Sequence, residues 1–202
     1  SSAGSRTSAA FPYRENAHVD YYLNELNSSD IHNILLGIQT SRTPFVIDSD
    51  RDDNIFVFWC GHGNHDELLY GNKAVSASEL DGWLTDLERN NRYRKLLFTI
   101  ETCFSGSVAQ ACENHHGVLF ITAANADETS LVDKTNYDEE LRLYVSNGFS
   151  NTLIQTIDRR PNIGISELYY QLVLGTSGSH VSIYGSKSYG NIYQCDMSEF
   201  FK

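Results

Sequence analysis

Hydrophobic residues along this chain fall into two patterns, unbroken apolar runs and apolar stripes at helical spacing. The unbroken runs predict strands that are buried on both faces of a parallel sheet, and they occupy residues 55–60, 96–100 and 118–122. Helical patterns predict helices near residues 31–38, 80–87, 106–113, 148–158 and 166–174. Because strands and helices alternate, the sequence predicts an α/β protein with a mostly parallel central sheet.

Three further stretches have other patterns. Residues 1–17 are rich in Ser and Ala, which is typical of a flexible tail or a cut activation loop, so the ordered domain is expected over 18–202. Residues 124–147 are polar and have no period, as in a long loop that forms the wall of a binding site. A last short strand is predicted at 180–184.

Composition narrows the possible functions. Lys and Arg number 15 against 26 Asp and Glu, and the net charge of −11 has the wrong sign for a nucleic acid partner. No apolar run approaches the roughly 18 residues of a membrane span, so none is expected. The chain has no CxxC pair, and three of its four cysteines are expected to be small buried hydrophobes, namely Cys60, Cys112 and Cys195.

Reactive side chains stand at the ends of two predicted strands. His62 and Gly63 close the first strand, and Glu101 to Cys103 close the second. Because ligands bind beyond the carboxyl ends of parallel strands, both motifs are expected at one crevice. A thiolate can attack an acyl carbon while an imidazole supplies a proton to the leaving amine, so Cys103 is the candidate nucleophile and His62 the candidate acid/base. The N–H groups of Gly63 and Cys103 could form an oxyanion hole.

Structural roles for these residues are also possible. A strand-end cysteine or histidine taken singly is more often structural, whereas their occurrence together favours catalysis. Cys60, His62 and His65 could be zinc ligands, but the sequence has no second ligand cluster, so no metal is expected. The other histidines are expected at the surface or in turns: His18, His32, His115, His116 and His180.

Five motifs, in order, resemble those of the legumain family of cysteine endopeptidases, which has a caspase-like fold and includes the catalytic subunit of the GPI transamidase. His62-Gly63 is similar to the family's His-Gly motif, and Glu101 to Ser107 is similar to its Glu-Ala-Cys-x-Ser-Gly-Ser motif. The other similar stretches are 92–95, 122–125 and 179–185. The resemblance covers residues from about Val19 to Tyr184.

The resemblance implies a caspase-like three-layer sandwich and an acyl-enzyme mechanism without a cofactor, in which Cys103 is the nucleophile and His62 the acid/base. Glu101, Thr129 and Ser130 would line the pocket for the substrate residue before the scissile bond, with cleavage after Asn or Asp. It further implies a processed zymogen whose first strands come from an N-terminal segment of the same precursor. Its expected location is outside the cytoplasm, in a secreted, periplasmic or lysosomal setting.

Other activities of the same site remain open. Asp133 has no counterpart in the family, and together with Glu101 it would favour cleavage after Arg or Lys. Asn147 stands where the family has a second pocket acid. An incoming amine in place of water would make the protein a transpeptidase. The alternative from another class is a non-catalytic caspase-like interaction domain, and the presence of both Cys103 and His62 argues against it.

Overall fold

The computed structural model describes residues 18–130, 137–138, 143–144 and 148–201. Its strands are β1 (Asn54–Cys60), β2 (Gly63–Asn64), β3 (Glu67–Tyr70), β4 (Lys73–Ser76), β5 (Lys95–Glu101), β6 (Val118–Thr122), β7 (Tyr137–Asp138), β8 (Leu143–Tyr144) and β9 (Ser182–Tyr184). Its α-helices are α1 (Ser28–Leu36), α2 (Ala77–Arg89), α3 (Ser105–Ala111), α4 (Gly148–Arg159), α5 (Ile165–Gly175) and α6 (Ser186–Tyr189). The predicted tail at 1–17 and most of the polar stretch beyond 130 lie outside the described residues.

The main sheet has the strand order β1-β5-β6-β9. β1, β5 and β6 run parallel, and β9 runs antiparallel to β6. All five residues of β6 and six of the seven in β5 are buried. Unbroken apolar runs form these strands because helices cover both faces of the sheet.

Alternate residues of the central strands enter two separate cores. Leu96, Phe98 and Ile100 of β5 pack on the face that carries α1, α2 and α3. Leu97 enters the opposite core, which includes Phe149 of α4 and side chains of α5. Because side chains alternate along a strand, Glu101 has the same parity as Leu97 and extends toward α4. The result is a three-layer α/β structure with the carboxyl ends of β1 and β5 at one edge.

A small antiparallel sheet of β2, β3 and β4 follows β1, in a stretch where the sequence predicts no strand. Its strands are two to four residues long and only partly buried, so they are too short to give a clear pattern in the sequence. The connections use left-handed residues, Asp66 with φ of 61° and Gly71 with φ of 58°. This sheet packs beside the main one and fixes the chain that leaves β1.

The first helix begins earlier than the apolar pattern predicts. Asn27 Oδ1 accepts from the N–H of Asp30 at 2.9 Å, and a carboxylate oxygen of Asp30 accepts from the N–H of Asn27 at 3.0 Å. This reciprocal capping box places the start of α1 at Ser28. The helix ends before Gly37, whose φ of 78° is the left-handed conformation typical of a helix end.

Candidate active site

The two strand-end motifs meet at one edge of the main sheet. β1 and β5 end at the same level, and the N–H of Gly61 donates to the carbonyl oxygen of Glu101 at 3.1 Å. Gly63 lies against the second motif, because a Cβ at this position would be only 2.5 Å from the carbonyl oxygen of Cys103. A residue with a side chain could not approach so closely. The fold therefore brings the segment that carries His62 directly beside Cys103.

Cys103 occupies a sharp turn between β5 and α3. The next residue, Phe104, has φ of 54°, an uncommon left-handed conformation for a residue with a Cβ. The turn leaves Cys103 partly exposed, with its Sγ 3.7 Å from the carbonyl oxygen of Ser130. Its backbone N–H makes no hydrogen bond to any residue that the structure describes. A thiol at this position can reach a bound carbonyl group.

The backbone N–H of Gly63 is also not used in strand pairing. Gly63 pairs with Leu68 between β2 and β3, and the N–H of Leu69 donates to the carbonyl oxygen of His62 at 2.9 Å. This bond makes Gly63 and Leu68 a non-hydrogen-bonded pair, so the N–H of Gly63 points away from the strand ladder. The N–H groups of Gly63 and Cys103 are thus available on the same edge.

His62 and His65 have different surroundings. The side chain of His62 is exposed and makes no hydrogen bond within the described ranges. His65 places its Nδ1 2.8 Å from a carboxylate oxygen of Asp66, and its ring lies beside that of Phe104. Among residues 18–130 and the other described ranges, no three His, Cys, Asp or Glu side chains form a group that could hold a metal ion.

Glu101 is buried at this edge, with 1% of its surface exposed. Its Oε2 accepts a hydrogen bond from the hydroxyl of Ser150 on α4 and lies 3.7 Å from the Sγ of Cys60. Its Oε1 is buried and has no partner among the described residues. Burial raises the pKa of Glu101 to about 8, although the contacts with Cys60 and Ser150 act in the opposite direction. The carboxyl group is therefore largely protonated at neutral pH.

The loop after β6 lies beside Cys103. Thr129 is exposed, whereas the hydroxyl of Ser130 is buried and has no partner in the described part of the chain. The carbonyl oxygen of Ser130 faces the Sγ of Cys103. Asp133 and Asn147 lie outside the described residues, so their places in the pocket stay predictions.

The sequence that forms this site is similar to those of a known peptidase family. Residues 11–199 match the model of the peptidase C13 family. The chain belongs to this family. The membership confirms the legumain-type cysteine peptidase family that the motifs indicate, and the α/β architecture with a mostly parallel sheet confirms the expected fold class.

Named C13 relatives have similar sequences at moderate identity. Human legumain is 28% identical over 145 residues, which are 71% of this chain and 33% of the relative. The hemoglobinase of Schistosoma japonicum is 26% identical over 203 residues, covering 93% of the chain and 44% of the relative. The vacuolar-processing enzyme delta-isozyme of Arabidopsis thaliana is 28% identical over 116 residues, 55% of the chain and 25% of the relative. The chain thus spans less than half the length of these relatives.

Two residues of this C13 site escape the sequence analysis. Cys60 is expected there as a buried hydrophobe, but the residue is exposed and its thiol packs against Glu101 and Ser150. Burial of the thiol and the neighbouring Glu101 raise the pKa of Cys60 to about 11. Strand pairing aligns Cys60 with Glu101, so the register could have revealed this contact. Ser150 lies 49 residues beyond Glu101, and no local pattern links the two.

No helix among the described residues is both long and apolar enough to cross a bilayer.

Proposed function

We propose that this chain carries the catalytic centre of a cysteine endopeptidase, with Cys103 as nucleophile and His62 as general acid/base. The main support is the close approach of Gly63 to Cys103, which brings both motifs to one sheet edge. In the reaction, the thiol proton passes to His62 while the sulfur attacks the peptide carbonyl carbon. His62 then protonates the leaving amine, and water hydrolyses the acyl-enzyme. The N–H groups of Gly63 and Cys103 stabilise the oxyanion by about 3 kcal/mol each.

Peptide hydrolysis by two cysteine variants tests this mechanism. Cys103→Ala should abolish hydrolysis and labelling by a thiol-reactive peptide probe, because it removes the nucleophile. Cys112→Ala is the matched control, since its thiol is fully buried and donates to the carbonyl oxygen of Ala77 at the start of α2. The control should retain hydrolysis. Full activity of Cys103→Ala, or equal loss in both variants, would show that another residue is the nucleophile and leave room for a non-catalytic domain.

Cleavage after Asn is the specificity that the Glu101 pocket supports best. A protonated carboxyl group has one hydrogen-bond donor and one acceptor, and a side-chain amide offers the complementary pair. The Oε1 of Glu101 and the hydroxyl of Ser130 have no partner among the described residues, so a side-chain amide that reached them would satisfy both. An ionised carboxylate, by contrast, would leave a buried charge without a base among the described residues.

Cleavage after Arg or Lys is the second candidate, because a cation entering the pocket would supply the base that Glu101 lacks. Activity on an Asn substrate requires protonated Glu101, whereas activity on an Arg substrate requires the ionised form, so kcat/KM for the two substrates should change with pH in opposite directions. As pH rises through about 8, Glu101 loses its proton, so kcat/KM for an Asn substrate should fall relative to that for an Arg substrate. Because both substrates use the same catalytic pair, the ratio of their kcat/KM values does not depend on the titration of that pair. A preference for Arg at every pH would contradict the Asn proposal.

The proposal also concerns the acceptor of the acyl group and the location of the protein in the cell. Transfer to an amine would use the same acyl-enzyme, and the partition between hydrolysed and transferred product at increasing amine concentration measures it. A location outside the cytoplasm agrees with the name of the Arabidopsis relative, a vacuolar-processing enzyme. Peptides or proteins are the substrate class that a peptidase family implies.

A further inference from the structure

One carboxylate ties three segments of the active-site edge together. Oε1 of Glu128 accepts hydrogen bonds from the backbone N–H groups of Asn125 at 2.8 Å and His180 at 2.7 Å. Oε2 of Glu128 lies 2.8 Å from Nδ1 of His180. The main-chain carbonyl oxygen of Glu128 accepts from the N–H of Phe104 at 2.8 Å, directly after Cys103. The loop after β6, the segment before β9 and the nucleophile turn therefore meet at one residue.

The hydrogen bonds are strong enough to keep this carboxylate ionised. The side chain of Glu128 is only 22% exposed, and that burial acts against the charge. Even so, the bonds from Asn125 and His180 hold the pKa of Glu128 below its usual range. Hydrogen bonds to an ionised acceptor are shorter and stronger than neutral ones. Two of the three donors are backbone groups, so the carboxylate fixes main-chain positions rather than side-chain rotamers.

Ser130 follows Glu128 by two residues and shows what this arrangement controls. The Ser130 carbonyl oxygen is 3.7 Å from the Sγ of Cys103, and its buried hydroxyl has no partner among described residues. We propose that Glu128 is a positioning residue of the peptidase site, which holds the Ser130 wall at a fixed place relative to Cys103. This inference rests on the proposed function, since it assigns the wall to substrate binding.

Variants of the purified active enzyme separate positioning from general stability. Glu128→Ala should lower kcat/KM for a peptide substrate on the order of 100-fold, the loss expected when reacting groups shift by about 1 Å. Alkylation of Cys103 by iodoacetamide should keep its rate, because this small reagent does not use the Ser130 wall. Glu128→Gln should recover most of the activity, since its amide oxygen can still accept from both backbone N–H groups. His180→Ala removes only the Oε2 contact and should give a smaller loss, seen mainly in KM.

Another Glu–His pair on the same protein provides the control. Oε2 of Glu88 lies 3.3 Å from Nδ1 of His115, away from the sheet edge that carries Cys103. Glu88→Ala should lower Tm only slightly, because this carboxylate is 44% exposed, and it should leave kcat/KM at the wild-type value. Measurement of Tm and of kcat/KM for a peptide substrate in both protein variants distinguishes the two residues.

Several results would overturn the inference. Wild-type kcat/KM in Glu128→Ala would do so, and so would an equal fall in alkylation and peptide turnover, which indicates general damage. Should Glu128→Ala not fold, Glu128→Gln and His180→Ala decide, and unchanged KM and kcat in His180→Ala contradicts positioning through this contact. Cys103→Ala is measured alongside: activity in that variant refutes the proposed function itself, whereas an inactive Cys103→Ala with fully active Glu128 variants refutes only the positioning role.

Discussion

Replacement of Glu101 by Gln should make the protein more stable at neutral and alkaline pH. Glu101 is buried beside Ser150 and Cys60, and burial raises its pKa from the usual 4.5 to about 8. Gln has the same shape and no charge, so it keeps the packing and removes the ionisation. The difference in stability between wild type and Glu101→Gln therefore measures the penalty for the buried carboxylate.

The pKa of Glu101 sets both the sign and the size of this effect. Between pH 4.5 and about 8 the folded protein holds the Glu101 proton more tightly than the unfolded chain does. The contribution of Glu101 to wild-type stability must then fall as pH rises, by about 1.4 kcal/mol for each pH unit. The upper limit is about 5 kcal/mol, reached near pH 8, and the difference should vanish near pH 4.5. Above pH 8 it should stay constant.

Urea unfolding from pH 4.5 to 9 provides the measurement. The free energy of unfolding of Glu101→Gln minus that of wild type should rise steadily to about pH 8 and then level off. Glu167→Gln is the control, because this exposed carboxylate contacts Arg160 at 2.6 Å and its pKa is lowered, so it cannot produce the same slope. Parallel pH curves for wild type and Glu101→Gln would refute the reasoning.

Two further predictions concern the edge around Cys103. Gly63→Ala should reduce kcat/KM on the order of 100-fold, because the added Cβ would meet the Cys103 carbonyl oxygen at 2.5 Å; Gly82→Ala, with no atom within 4 Å, should keep activity and gain about 1 kcal/mol of helix stability. Iodoacetamide at pH 8 should label Cys103 well before Cys60, whose raised pKa of about 11 leaves only about one thiol in a thousand ionised. Peptide mass mapping follows the labelling, and faster modification of Cys60 would contradict its protonated state.

The sequence predicts the central strands well because their environment is uniform. Apolar runs at 96–100 and 118–122 correspond to β5 and β6, since helices on both faces favour apolar side chains at nearly every position, with Thr99 and Thr122 as the exceptions. The antiparallel direction of β9 and the small sheet β2–β4 are not evident from the sequence. Those short strands are held by neighbouring chain segments and carry no periodic signal of their own.

Residues of the candidate site that lie on separate elements are harder to predict than those at strand ends. Cys103 and His62 are visible because each follows an apolar run. Ser150 reaches Glu101 only through the packing of α4 against the sheet, and Glu128 depends on a contact with His180 52 residues later. His115, expected at the surface or in a turn, lies in the bend after α3, where its side chain is 11% exposed and its Nε2 is 2.7 Å from an oxygen of Asp81. Such contacts depend on tertiary structure, which local patterns do not encode.

The proposed substrate pocket contains polar atoms that weaken the fold. Buried polar atoms in proteins nearly always have partners, yet Oε1 of Glu101 and the hydroxyl of Ser130 have none among the described residues. Each such atom destabilises the free protein, and each would gain a hydrogen bond if the proposed substrate side chain reached it. Glu101→Gln should therefore be more stable than wild type. Because a side-chain amide does not ionise, the variant should also lose the pH-dependent choice between Asn and Arg substrates. A gain in stability together with loss of that choice is what a pocket kept unsatisfied for function requires.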